Sequence, residues 1–165
     1  MVFISVLGDF PLAKPELKDS FKINALFVSA PIREAIADGR GDYVPVFLSE
    51  IPELFNGGVL PIDVALVNVS PPDEHGFCSL GTSVDIARSA VNTAKKVIAQ
   101  VNPKVPRTHG DGMIHVSRFA SMVYHESPLH ESGKSAGFSS EEISIGNHIA
   151  ALIEDGSTLQ MGIGT

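Results

Sequence analysis

At 165 residues, 44% hydrophobic and 19% charged, the chain has enough apolar sequence for one globular domain, burying roughly 70% of its unfolded surface. Its net charge of −7 is broken by no basic cluster, which argues against nucleic acid as a partner, because phosphate neutralisation needs grouped Lys and Arg. The one cysteine, Cys78, excludes an internal disulfide and fits a reducing compartment, and no apolar run approaches the ~20 residues of a membrane-spanning helix.

Taken in order, Val2 to Leu7 reads as a strand and not as a signal peptide, since it lacks a basic start and the necessary length. Gly8 to Pro15 is a loop, and Lys22 to Val28 a second strand. Ser29 is expected to cap a short helix with Pro31 in its first turn and Gly39 past its end. A turn at Gly39-Arg-Gly41 leads to a short strand over Tyr43 to Phe47. Ser49 is expected to cap the next helix, which stops at Gly57-Gly58. Ile62 to Val69 is the most apolar run in the chain, and its Val and Ile content suits a strand buried on both faces of a parallel sheet.

The segment after that strand, Ser70-Pro-Pro-Asp-Glu-His-Gly-Phe-Cys-Ser-Leu-Gly81, therefore falls at a carboxyl end, where open α/β sheets place their ligands. Gly76 and Gly81 allow positive φ or close backbone approach there. Val84, Ala87, Val91 and Ala94 then recur at helical spacing, leaving Asp85, Arg88 and Asn92 for solvent. Lys96 to Val101 is a further strand, so residues 62 to 101 form a βαβ unit. Asn102 to Gly112 is irregular, Met113 to Val116 and Ser121 to His125 are short strands, and Ser127 to Gly137 is a mobile Pro/Gly/Ser-rich stretch. Ser139 and Glu142 form a capping-box pattern opening a helix whose inner face is Ile145, Ile149, Leu152 and Ile153. Ser157 to Met161 is a last strand, running into Gly162-Ile-Gly-Thr165. A strand followed by Gly-x-Gly ordinarily opens a helix, so the domain is expected to continue beyond this sequence.

Several residues carry chemistry with two readings each. Asp73 and His75 form an acid/base pair or fix the loop by hydrogen bonds, with Ser70 and Gly76 beside them. Cys78 suits packing better than thiolate chemistry, having no Lys or Arg near it in sequence. His109, Asp111 and His115 have a spacing that metal could use, but the glycines around them mark a loop and no second cluster supports it; no metal is expected. Arg107 meets a phosphate or carboxylate, or makes a surface ion pair, the latter being favoured. Gln160 bonds a ligand or braces backbone.

Five stretches resemble the acetyl-CoA hydrolase/transferase family, in particular its 4-hydroxybutyrate CoA-transferase branch within the class I CoA-transferases. They are Ser49-Glu-Ile-Pro52, Leu60 to Ala65, Ser70 to Gly81, Gln100-Val-Asn102 with Pro106-Arg-Thr108, and Thr158 to Gly164. The resemblance implies an α/β fold with an open, mostly parallel sheet and flanking helices (CoA-transferase/NagB-like). Residues 1–165 would be part of an N-terminal domain whose C-terminal partner domain lies elsewhere. It implies an enzyme moving CoA from an acyl-CoA to a small carboxylic acid through a glutamyl-CoA intermediate. The glutamate lies outside this chain, so no catalytic residue is assigned within it. Gly162, Ile163 and Gly164 carry over as CoA-binding by motif match. Coenzyme A or acyl-CoA is substrate, no cofactor is held covalently, a homo-oligomer is expected, and the setting is cytoplasmic (mitochondrial in a eukaryote) with no membrane partner. An acetyl-CoA hydrolase, another activity on a similar sheet such as sugar-phosphate isomerisation, and a non-catalytic interaction module stay open.

Overall fold

The computed structural model describes residues 1–131 and 137–160, in two compact units, Met1–His130 and Glu131–Thr165. In the first unit the parallel α/β pattern expected from sequence is divided between two three-stranded sheets. Strands β1 (Val2–Phe3), β2 (Ile23–Ala25) and β3 (Gly41–Tyr43) make one, all parallel, with β2 central. Strands β4 (Val64–Val69), β6 (Lys96–Val101) and β8 (Ser121–Tyr124) make the other, also all parallel, with β6 central. A small antiparallel ladder joins β5 (Phe77–Ser79) to β7 (Met113–His115).

The βαβ reading of residues 62 to 101 holds: β4 and β6 pair in register from Val64↔Lys96 to Val69↔Val101, with helix α3 (Asp85–Thr93) between them in sequence. Ala65, Val67 and Val69 of β4, with Val97, Ala99 and Val101 of β6, point to one face and form the core with Cys78, Leu80, Val91, Ala94 and Ile114. Each fully buried valine contributes about 1.5–3 kcal/mol. Ile86, on another side of α3, packs with Leu26, Ile51 and Phe55 instead. That second contact brings in helix α2 (Ile51–Asn56) and β2's continuation, so α3 serves two cores at once. Sequence periodicity marked only the first face. Arg88 is half-buried, not solvated: its guanidinium donates to the Met113 carbonyl at 2.9 Å and lies 3.5 Å from Asp111. Arg118 donates to the carbonyls of Val91 (2.6 Å) and Ala94 (2.7 Å), satisfying the open C-terminal end of α3.

Other expectations need correction. The strand Ile62–Val69 is buried on one face only, because Val64, Leu66 and Asn68 alternate outward and Leu66 is 77% exposed. The continuous apolar stretch Val64–Val67 within it concealed the period of two that its packing follows. β1 and β2 are shorter than read, since their ladder ends where Leu26 N–H donates to the Phe3 carbonyl. The third strand starts at Gly41, not Tyr43. Gly41 faces Ile23, where an added Cβ would lie 2.8 Å from the Ile23 Cβ, so only glycine allows that close pairing. Pro45, with no N–H, keeps the ladder from continuing far past Tyr43.

Ser29 precedes the turn Ala30–Ile32 and helix α1 (Arg33–Ala37), but its hydroxyl accepts the Val6 N–H at 3.1 Å and caps neither. Ser49 lies inside the turn Leu48–Glu50, and Glu50 occupies the cap position of α2. In the second unit, helix α4 (Ser140–Ala150) opens on the expected capping box: Ser139 Oγ accepts the Glu142 N–H at 3.2 Å and Glu142 accepts the Ser139 N–H at 2.7 Å. The expected inner face of α4, Ile145 and Ile149 with Leu152 and Ile153 beyond, is exposed. Among the described residues the unit has no buried core to receive it. Residues 157–160 form no strand, for none among the described residues pairs with them; Met161 lies outside the described residues.

Candidate functional site

Val69 and Val101 end two adjacent parallel strands, and the chain leaving each builds the site. The segment from Ser70 is not an open loop. It folds back on itself, Ser70 N–H donating to the Ser79 carbonyl (2.8 Å) and Ser79 N–H to Ser70 Oγ (2.9 Å), so the second half becomes β5. Asp73 N–H donates to the Phe77 carbonyl (2.9 Å) and Gly76 N–H to the Asp73 carbonyl (3.0 Å). Gly76 sits at φ +80°, and an added Cβ would meet His115 Nε2 at 2.9 Å, so the tip needs glycine on both counts.

Asp73 organises the tip. One carboxylate oxygen accepts the Phe77 N–H (2.7 Å) and the His75 N–H (3.0 Å), while the other receives the Arg107 guanidinium, which also donates to the Phe77 carbonyl at 3.0 Å. The Phe77 N–H, more than any other partner, holds the Asp73 carboxyl below its ordinary range; burial opposes this, and the His75 N–H and Arg107 add to it. Asp73 meets His75 through that main-chain N–H. The imidazole of His75 is 74% exposed, its Nε2 lying 3.5 Å from Glu74. Of the two readings for Asp73, the geometry favours fixing the loop. Arg107 makes the ion pair expected of it, but within this turn.

Below the tip, a buried hydroxyl network fastens β5 to the segment after β6. Ser79 Oγ accepts the N–H groups of Gly81 and Thr108, both at 3.1 Å, and lies 3.0 Å from both oxygens of Thr108. Thr108 Oγ1 donates to the Gly81 carbonyl at 2.8 Å. Gly81, at φ +64°, lies so close to Val105 that an added Cβ would approach it to 2.4 Å. Cys78 is buried beneath, and burial pushes its thiol up, which suits packing and not nucleophilic attack.

These constraints frame a cleft of about 250 Å³ at the carboxyl ends of the second sheet. Leu66 and Asn68 come from β4, Thr82 and Ser83 from the lead into α3, and Leu129 and His130 from the segment after β8. Its walls are chiefly aliphatic with a few hydroxyl, amide and imidazole groups, the usual make-up of a small-molecule site. Asp73 and His75 do not line it. A wider hollow of about 440 Å³ beside the first sheet includes Arg40, but that guanidinium is occupied by the Ala13 carbonyl and Asp38.

His109 and Asp111 are exposed, and His115 Nδ1 lies 2.8 Å from Ser117 Oγ; no group of three metal-ligating side chains comes together among the described residues. Gln160 is exposed, and Gly162, Ile163 and Gly164 lie outside the described residues. Ser79 stood out in sequence, with Asp73, Glu74 and His75, as chemistry beyond what a plain connection needs; Thr108, Asn102 and His130 did not. Thr108 and Asn102 lay in stretches that carried the family resemblance, which was the only signal that could have found them.

Parallel strands joined through a helix, with a cleft across their carboxyl ends, define an α/β protein of the ligand-binding kind. Residues 5–130 match the acetyl-CoA hydrolase/transferase N-terminal domain, and the chain belongs to that family. It is 47% identical over 158 residues to a succinyl-CoA:acetate/propanoyl-CoA:succinate CoA transferase of Fasciola hepatica, covering 95% of this chain and 32% of that protein. It is 44% identical over 164 residues to a 4-hydroxybutyrate coenzyme A transferase of Clostridium kluyveri, covering 99% of this chain and 38% of that protein. Among solved structures, RipA from Yersinia pestis superposes with a TM-score of 0.82 at 33% identity, over 93% of this chain and 37% of RipA. The chain thus spans about a third of the length of the curated relatives it matches. Among the described residues no helix is long and apolar enough to cross a membrane.

Proposed function

We propose that this chain is part of the N-terminal domain of an acyl-CoA:carboxylate CoA-transferase, moving CoA between an acyl-CoA and a small carboxylic acid. The observation that carries this reading is the 44% identity to a 4-hydroxybutyrate coenzyme A transferase across 99% of the chain. Activity then requires sequence corresponding to the remaining two-thirds of such relatives, and a homo-oligomer is the assembly expected.

In this reading a glutamate carboxylate outside the chain attacks the thioester carbonyl. CoA leaves as thiolate and an acyl-glutamyl anhydride forms. The thiolate then attacks the glutamyl carbonyl, releasing the first acid and leaving a glutamyl-CoA thioester, which a second carboxylate opens by the reverse steps. The thioester's energy is conserved provided water is excluded. Gly162, Ile163 and Gly164 approach CoA through their main-chain N–H groups, with Gln160 beside them. The aliphatic cleft at Leu66 and Leu129 receives the acyl end, and the turn at Ser70, Asp73, His75 and Gly76 acts by fixing β5. No covalent cofactor takes part.

The test is a chimera in which this chain replaces its 164-residue counterpart in the Clostridium kluyveri relative. CoA transfer from acetyl-CoA to 4-hydroxybutyrate is expected, with a borohydride-reducible thioester outside residues 1–165. A folded chimera that releases only free acetate is the hydrolase alternative, and one that does neither removes the enzymatic reading.

A further inference from the structure

Asn102 lies at the carboxyl end of β6, fully buried, and every hydrogen-bonding group it owns is engaged. Its N–H donates to the Val69 carbonyl (2.9 Å), carrying the β4–β6 ladder one residue past the strands, and its carbonyl accepts the Val105 N–H (3.0 Å). Oδ1 accepts the N–H groups of Lys104 (3.0 Å) and Ser127 (3.3 Å). Nδ2 donates to the Ser127 carbonyl (2.9 Å) and to Ser127 Oγ (3.3 Å). The carboxamide thus holds both main-chain polar groups of one residue beyond β8, as a neighbouring strand would. Pro128 follows with its φ fixed, so the placement of Ser127 is passed on to Leu129 and His130. Those two line the cleft, and the His130 ring closes on the turn after β1, with Nδ1 3.6 Å from where a Cβ on Gly8 would stand.

We propose that Asn102 is a positioning residue for the cleft: by gripping Ser127 it sets Leu129 and His130 as the wall against which the acyl or carboxylate group rests. This rests on the reading of the cleft given above. A carboxamide is the suitable group, because it is neutral, fits a buried site, and donates and accepts on the two sides that a peptide unit presents.

The test begins on the chain itself, with Asn102→Asp, which keeps both accepting contacts and loses both donated ones, and with Asn102→Ala. In Asn102→Ala, exchange of the Ser127 amide should rise more than tenfold, and in both variants the Leu129 methyl and His130 ring resonances should move toward random-coil positions. The amides of Val67 and Ala99 should keep their protection. Ser127→Ala, which spares the main-chain contacts, should behave as the parent. In an active chimera, Asn102→Asp should raise KM for the carboxylate at least fivefold with kcat within twofold. Unchanged Leu129 and His130 signals, or global unfolding of both Asn102 variants, would overturn the proposal, as would a fall in kcat with KM unmoved. An inactive chimera would sink the transferase reading alone, because the exchange and resonance results stand without it.

Discussion

At the scale of single residues, the turn after β4 shows how a carboxylate that could have been catalytic is used for structure. Asp73 takes two N–H groups and a guanidinium on its two oxygens, and it stands outside the lining of the cleft. Its folded-state carboxyl lies below the ordinary 3.8, so its contribution is complete above that value and is lost as pH falls through the depressed one. Followed by NMR, the His75 and Phe77 amide shifts should therefore change together with a midpoint below pH 3.8, and Asp73→Asn should abolish the step. A midpoint at or above 3.8 would show that the carboxylate is not held as described. His75 was legible as a polar loop residue; that its imidazole faces solvent was not, because side-chain direction depends on the turn that Gly76 permits.

Elements behaved differently according to whether their signals were local. The capping box at Ser139 and Glu142 was readable because both partners lie within four residues. Ser139→Ala should cost α4 about 1 kcal/mol, seen as roughly fivefold faster exchange of the Glu142 amide; no change would mean that the hydroxyl contributes nothing there. Ser29 and Ser49 carried the same local signal and failed it. Val6 claims the hydroxyl of the first from 23 residues away, and a preceding turn moves the cap position to Glu50 for the second. The segment Ser70–Gly81 was read as one loop and contains β5, whose partner β7 lies over 30 residues on. Pairings of that span leave no mark on local periodicity.

For the molecule as a whole, the outward face of the β4–β6–β8 sheet sets behaviour in solution. Val64 and Leu66 of β4, with Val123 of β8, are exposed, at 77% for Leu66. Parallel sheets are ordinarily covered on both sides, and exposed apolar patches drive association. The chain should self-associate as concentration rises in sedimentation velocity. Leu66→Gln with Val123→Thr should weaken that by tenfold or more, since burying one such side chain is worth about 1.5–3 kcal/mol, while thermal stability is unchanged. A parent chain that stays monomeric at every concentration would show that this face needs no cover.

The sequence alone determined the α/β class, the β4–α3–β6 unit, the α4 cap and, through the Ser70–Gly81 stretch, the family. All of these depend on periodicity or on contiguous residues. Tertiary structure decided that the apolar strand at 64–69 is covered on one side, that α3 serves two cores, that Asp73 belongs to Arg107 and Phe77, and that Asn102 holds Ser127. Each of these is a competition for a hydrogen bond or a packing surface between residues far apart in the chain. Only the folded arrangement, in which few buried polar groups can go unsatisfied, selects the winner.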